Sequence, residues 1–228
     1  MHIGGFQKMT MLDFPGKVAC TVFTHACNLR CPFCHNAALV VGEYTPVSEE
    51  EILAYLAKRR GILDGVCITG GEPLLQKDIR AFIERVRALG LAVKLDTNGT
   101  YPDKLRELID AGLLDYVAMD VKNSPARYAE TVGLPTLDLA PIEESVRILK
   151  ENRVPYEFRT TVVRELHTAE DMKEIGAWLA GADRYFLQQF TDSGALLGEG
   201  YTAHDPDTLK TFADIVSPYI PTVATRGI

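Results

Sequence analysis

No apolar run in the 228-residue chain approaches the length of a membrane span, and its start, MHIGGFQKMT, has no basic segment leading into an apolar one. A cytoplasmic protein with no membrane partner is expected. There is no block of lysine and arginine either. Thirty-one acidic residues against 24 basic ones give a formal charge of -7, the wrong sign for a surface that neutralises phosphates, which argues against a nucleic-acid partner. Cysteines number only five, an odd count. That excludes a disulfide scaffold, and in a reducing compartment clustered cysteines more often ligate metal or carry redox chemistry. No Pro/Ser/Gly-rich linker divides the chain, and 46% hydrophobic with 24% charged residues suffices for a core without bridges or metal. One domain over residues 1–228, with its core at about 12–220, is the expectation.

What is present is an alternation. Short runs rich in β-branched and aromatic residues fall at 18–24, 65–69, 91–97, 116–120, 155–163 and 184–190, each followed by a segment of helical period. Ser48 with Glu51, and Thr168 with Asp171, are helix-start signals, while Gly90 and Gly112 sit where a C-terminal cap belongs. Six strand-helix units mean a parallel sheet with right-handed crossovers and helices outside. Six are too few to close an eight-stranded barrel, so the expected architecture is α/β, an open, partial (β/α)6 barrel, with a doubly wound sheet as runner-up.

The stretch CNLRCPFCHN follows the first of these strands and holds Cys27, Cys31 and Cys34 within eight residues. It lies at the C-terminal strand edge, where parallel α/β proteins place their sites. Thiolates so crowded repel one another unless a cation neutralises them. A structural zinc site wants a fourth ligand, for which only His25 and His35 stand close, and no second C-x2-C knuckle exists. An iron-sulfur cluster that only carries electrons takes a cysteine on every iron; three leave one iron open, the mark of a reactive centre. Cys20 and Cys67 lie inside strands and read as buried hydrophobes.

Other strand ends carry charge. The second strand runs into ITGGEP, with Gly70 and Gly71 permitting close backbone approach and Glu72 offering a carboxylate; the third runs into Asp96, Thr97 and Asn98; the fourth into Asp120 and Lys122. Carboxylates recurring on one rim need compensation, from a cationic ligand, from Lys122 or from a bound metal ion. Arg159 in the fifth strand and Gln188 in the sixth are costly to bury without partners. His2, His167 and His204 read as surface or loop residues without a role, and Trp178 as core packing.

CNLRCPFC with GGEP following resembles the radical S-adenosylmethionine (SAM) enzymes. DTNG and DVK further resemble the glycyl-radical-enzyme activases, and LDFPGKVACTVFTHACNLRCPFCHN is similar to the activating proteins of anaerobic ribonucleoside-triphosphate reductase. The resemblance runs from about Met11 through nearly the whole chain. It implies a radical SAM barrel in which Cys27, Cys31 and Cys34 hold a 4Fe-4S cluster whose open iron is chelated by SAM. Phe33 would lie by the adenine, and Gly70, Gly71 and Glu72 would meet the methionyl amino group. Asp96, Thr97, Asn98, Asp120 and Lys122 would surround the carboxylate end, in some activases through a monovalent cation near Asp96 and Asp120, and Arg159 and Gln188 would contact the cofactor. The implied reaction is reductive cleavage of SAM to a 5'-deoxyadenosyl radical that makes a glycyl radical on a partner enzyme, with a flavodoxin- or ferredoxin-type electron donor. Pyruvate formate-lyase activases are similar but carry a histidine-bearing stretch where this chain has QQFTDSGALLGEGY. Other activases insert a cysteine-rich domain where only residues 36–47 stand here, so no auxiliary cluster is expected. Two rivals remain: a radical enzyme acting on a small molecule, and a non-enzymatic zinc or electron-transfer module.

Overall fold

The computed structural model describes residues 1–228. All six expected strands form, as β2 (Ala19–Thr24), β3 (Gly65–Gly70), β4 (Ala92–Thr97), β5 (Tyr116–Asp120), β6 (Tyr156–Val162) and β7 (Arg184–Gln189). Two more extend the sheet: β1 (Ile3–Thr10), antiparallel to β2, and β8 (Thr222–Arg226), parallel to β7. Spatial order equals chain order from β1 to β8. A doubly wound sheet reverses direction at a switch point, so this order removes that alternative. The sheet is also curled, because side chains from β1 through β7 line one cavity, which a flat sheet of that width does not permit.

Both added strands are edges, which explains why sequence pattern missed them. IGGFQKMT in β1 has two glycines, an irregular register against β2 and no clean alternation of buried and exposed positions. TVATR in β8 is short and has no fully buried residue. Edge strands meet solvent along one side and carry a weaker hydrophobic signature.

Each central strand sends alternate side chains to two environments. Val93 and Leu95 of β4, Val117 and Met119 of β5, and Phe158 and Val162 of β6 face outward into a large core under the helices. The opposite face of the same strands presents Lys94, Asp96, Asp120, Glu157 and Arg159 to the barrel interior. Covering the sheet are α1 (Ala37–Val41), α2 (Glu49–Lys58), α3 (Ile79–Ala88), α4 (Pro102–Asp110), α5 (Tyr128–Thr131), α6 (Ala140–Lys150), α7 (Ala169–Trp178) and α8 (Pro206–Val216). Both predicted capping boxes form, Ser48 with Glu51 and Thr168 with Asp171. Gly90 and Gly112 take the positive φ expected of terminating residues, 80° and 65°. No helix is long and apolar enough to cross a membrane.

One histidine needs correction. His167 is not a surface or loop residue without contacts: it is buried, its Nδ1 lies 3.0 Å from the Val163 amide and its Nε2 2.8 Å from the Lys122 carbonyl. It thereby ties the exit of β6 to the exit of β5. Trp178 packs edge-on against Tyr128, as a core-packing residue should.

Candidate active site

The loop after β2 is fastened on three sides. From the β3 exit, Gly71 N–H donates to the Thr24 carbonyl and Glu72 N–H to the Ala26 carbonyl, both at 2.9 Å. That approach explains the glycine pair: a Cβ on Gly70 would stand 2.5 Å from Thr24 backbone atoms, and one on Gly71 2.0 Å from the Ala26 oxygen. Ala26 itself takes φ 74°, a strained conformation for a residue with a side chain. On the second side, Arg30 N–H donates to the Val132 carbonyl at 3.0 Å, and on the third, Gly198 N–H to the Pro32 carbonyl at 2.7 Å. The last contact lays the segment after β7 against the cysteine loop and brings Leu197 to the cavity wall.

So held, Cys27, Cys31, Cys34 and Phe33 all face one cavity of about 300 Å³ at the C-terminal end of the barrel. All three cysteines are free thiols. Burial pushes the Cys31 thiol up to about 12, with Lys122 opposing and the other two cysteines adding to the rise. Burial likewise raises Cys27. Three thiols that resist ionisation, each made worse by its neighbours, call for a strongly cationic guest that holds them as thiolates. Zinc is a poor fit, since no three His, Cys, Asp or Glu side chains of the chain converge closely enough to hold one metal ion. Nor does His25 complete a set: it stacks on Tyr44 with ring centroids 3.8 Å apart. A four-iron cluster takes each cysteine on a different iron, so it suits sulfurs that share a cavity without meeting at a point.

The rest of the cavity wall comes from strand ends. Gly70, Gly71, Asp96, Thr97, Asn98, Asp120, Lys122, Arg159 and Gln188 all line it, so thirteen of the fourteen predicted site residues share one space. Asn98 sits beside the first cysteine, its side-chain amide 3.8 Å from Cys27 Sγ. The expected charge cost on the rim is met by side chains. Arg159 bridges two strands, donating from Nε to Asp120 at 2.9 Å and from Nη1 to Asp96 at 3.3 Å, while Lys122 donates to the other oxygen of Asp120 at 3.0 Å. Burial alone would raise the Asp120 carboxyl, but Arg159 and Lys122 outweigh it and hold the group well below the ordinary carboxylate range.

Glu72 is the predicted residue that does not reach the cavity. It is 0% exposed, and its carboxylate accepts from Thr97 Oγ1 at 2.8 Å, Leu74 N–H at 3.0 Å and Asn98 N–H at 2.7 Å. The side chain therefore locks the β3 exit to the β4 exit beneath the cavity wall. Burial drives its carboxyl up to about 7 against those three donors.

Sequence reasoning missed two interior residues. Lys94 precedes Asp96 by two positions, so strand alternation places both on the interior face, and Lys94 pairs with Asp96 there. Glu157 stands two before Arg159 in the same way and is clamped by Arg226 of β8 at 2.7 and 2.9 Å, with the guanidinium 3.5 Å above the Phe186 ring. The period-two pattern that located the strands was the available signal for both.

Residues 21–179 match the Radical SAM superfamily. Over 99% of its length the chain is 34% identical to a Methanocaldococcus jannaschii protein provisionally named glycyl-radical enzyme activating enzyme, covering 96% of that relative. A Thermococcus kodakarensis protein provisionally named GTP 3',8-cyclase is 33% identical over 68% of this chain and 51% of its own. The pyruvate formate-lyase-activating enzyme of Listeria monocytogenes is 29% identical over 71% of this chain and 68% of its own. Among solved structures, SuiB of Streptococcus suis bound to S-adenosylmethionine superimposes with a TM-score of 0.71 at 16% identity, over 89% of this chain. The chain spans about half of SuiB, 48%, and at that identity the likeness concerns the fold.

Proposed function

The chain belongs to the radical SAM superfamily, whose members use a 4Fe-4S cluster and SAM, and from that premise we propose that it is an activase that installs a glycyl radical on a partner enzyme. The observation carrying this reading is the three-thiol set without a fourth ligand, facing a cavity whose remaining wall is polar and charge-paired. Bound there, cluster and SAM together supply one-electron cleavage of the sulfonium's C5'–S bond, giving methionine and a 5'-deoxyadenosyl radical able to abstract a glycine α-hydrogen.

The chain's own residues have positioning tasks. Cys27, Cys31 and Cys34 each hold one iron and leave the fourth to the amino and carboxylate groups of SAM. Backbone at Gly70 and Gly71 lies open to the methionyl amino group, while Asp96, Thr97, Asp120, Lys122 and Arg159 form the wall for its carboxylate end. Phe33, buried on the cysteine loop, offers an aromatic face to the adenine; Asn98 and Gln188 supply amides. The cluster, held by a loop fastened from three directions, is kept from drifting relative to the cofactor wall, which is what a directed radical transfer requires.

Correspondence over 99% of the chain to the M. jannaschii relative favours an activase over a small-molecule enzyme, since the cyclase relative matches only 68% of this chain. Among partners, anaerobic ribonucleoside-triphosphate reductase is favoured by the sequence from Leu12 to Asn36 and by the absence of histidine between Gln188 and Tyr201. A flavodoxin- or ferredoxin-type protein is the proposed electron source. The test is anaerobic reconstitution with iron and sulfide, reduction, addition of SAM, and electron paramagnetic resonance with each candidate partner. A glycyl-radical doublet appearing only with the reductase is expected. A doublet with pyruvate formate-lyase alone would reassign the partner, and 5'-deoxyadenosine formation that needs a small molecule and no protein would refute the activase reading.

A further inference from the structure

Two aspartates on the cavity rim would ordinarily attract a metal ion. Here their oxygens are already taken. Asp96 accepts from Lys94 Nζ on Oδ1 and from Arg159 on Oδ2; Asp120 accepts from Arg159 on Oδ1 and from Lys122 on Oδ2. Three fixed cations face two carboxylates, so the cluster carries a net charge of about +1 with Asp and Glu ionised at neutral pH. Sodium and potassium bind through hard oxygen donors with lone pairs to spare, as other hard cations do. A site whose every carboxylate oxygen holds a cationic N–H, with three positive groups around it, opposes that ion electrostatically.

Lys94 is the unusual member. It is 2% exposed and does not line the cavity, so it is not a ligand contact; it stands on the interior face one step below Asp96. Its stem lies beside Cys67, whose sulfur is 3.7 Å from Nζ, and its charge is paired with Asp96. A lysine placed this deep is costly unless its charge is used against a partner.

We propose that Lys94 is a built-in cation: its ammonium fills the counter-charge position next to Asp96, so that SAM binds this chain without sodium or potassium. The +1 site is then the right sign for the carboxylate end of the methionyl group and the wrong sign for a metal ion. Lys94 is a positioning residue, acting on the cofactor through Asp96. The inference rests on the cofactor placement proposed above.

The test is equilibrium binding of SAM to the cluster-loaded protein under argon, with potassium or sodium exchanged for choline at constant ionic strength. Wild type should give the same Kd in all three salts. Lys94→Met should bind SAM on the order of tenfold more weakly in choline, the factor carried by about 1.4 kcal/mol, and recover in potassium or sodium. Lys94→Arg, which keeps the charge, should stay salt-independent. SAM binding by wild type that demands potassium or sodium would overturn the inference while leaving the radical SAM reading intact, and that measurement decides even where Lys94→Met fails to fold. A folded Lys94→Met with wild-type affinity in every salt would overturn it equally. No SAM binding under any condition would remove the functional reading and the inference with it.

Discussion

Glu72→Gln tests whether the GGE turn is a fastener or a cofactor contact, and it does so in the protein without cluster or SAM. In the fold the carboxylate is sealed from solvent and holds Leu74, Thr97 and Asn98. Burial lifts its carboxyl from 4.5 to about 7. Because the folded value lies above the unfolded one, the stability this group contributes is complete below pH 4.5 and is lost as pH rises through 7. A rise of that size corresponds to about 3 kcal/mol lost between pH 4.5 and 8. Glutamine does not titrate, so the variant should not show this loss, and all other groups titrate alike in both proteins and cancel. Urea unfolding at pH 5 and pH 8 should therefore show the stability gap moving by about 3 kcal/mol toward the variant at the higher pH. Near pH 5 the neutral carboxyl and the amide present similar hydrogen-bonding groups, and the two proteins should be close. Parallel stability curves across the range would mean that Glu72 titrates normally, hence that solvent or a cation reaches it, and the buried-fastener account would be refuted.

Two further substitutions separate the cysteine loop from its surroundings. Cys31→Ala should abolish 5'-deoxyadenosine formation, whereas Cys67→Ala, which removes a buried sulfur from the barrel wall, should leave it largely intact at a stability cost of about 1 kcal/mol; equal loss in both would overturn the ligand assignment. Gly71→Ala drives a methyl to 2.0 Å from the Ala26 carbonyl oxygen, so the turn must shift, with a destabilisation of about 3 kcal/mol. Iron bound per chain after reconstitution should fall with it, and unchanged iron content would show that the β3 exit does not hold the cysteine loop.

The six central strands and their helices were legible because burial there is two-sided and the helix starts carry complete caps, as at Ser48 and Thr168. The cysteine loop was legible because its chemistry is local: three sulfurs in eight residues need no tertiary contact to announce themselves. What pattern could not supply was direction at the strand exits. Glu72, Asp96 and Asp120 follow successive strands in similar positions, yet two face the cavity and one faces away, because Glu72 lies beyond the end of β3 where strand alternation no longer governs. Lys94 and Glu157 lay within reach of period-two reasoning and were passed over among apolar neighbours. His167 was invisible for another reason: its partners are backbone groups at Val163 and Lys122, and the second of these lies 45 residues away.

An iron left free for SAM is most directly seen by electron-nuclear double resonance on the reduced, reconstituted protein, with SAM carrying 15N in its amino group and 17O in its carboxylate. Coupling of both nuclei to the cluster is the expected result, with three cysteine ligands and no fourth. A spectrum that labelled SAM leaves unchanged, on a cluster whose irons are all bound by side chains, would contradict the account.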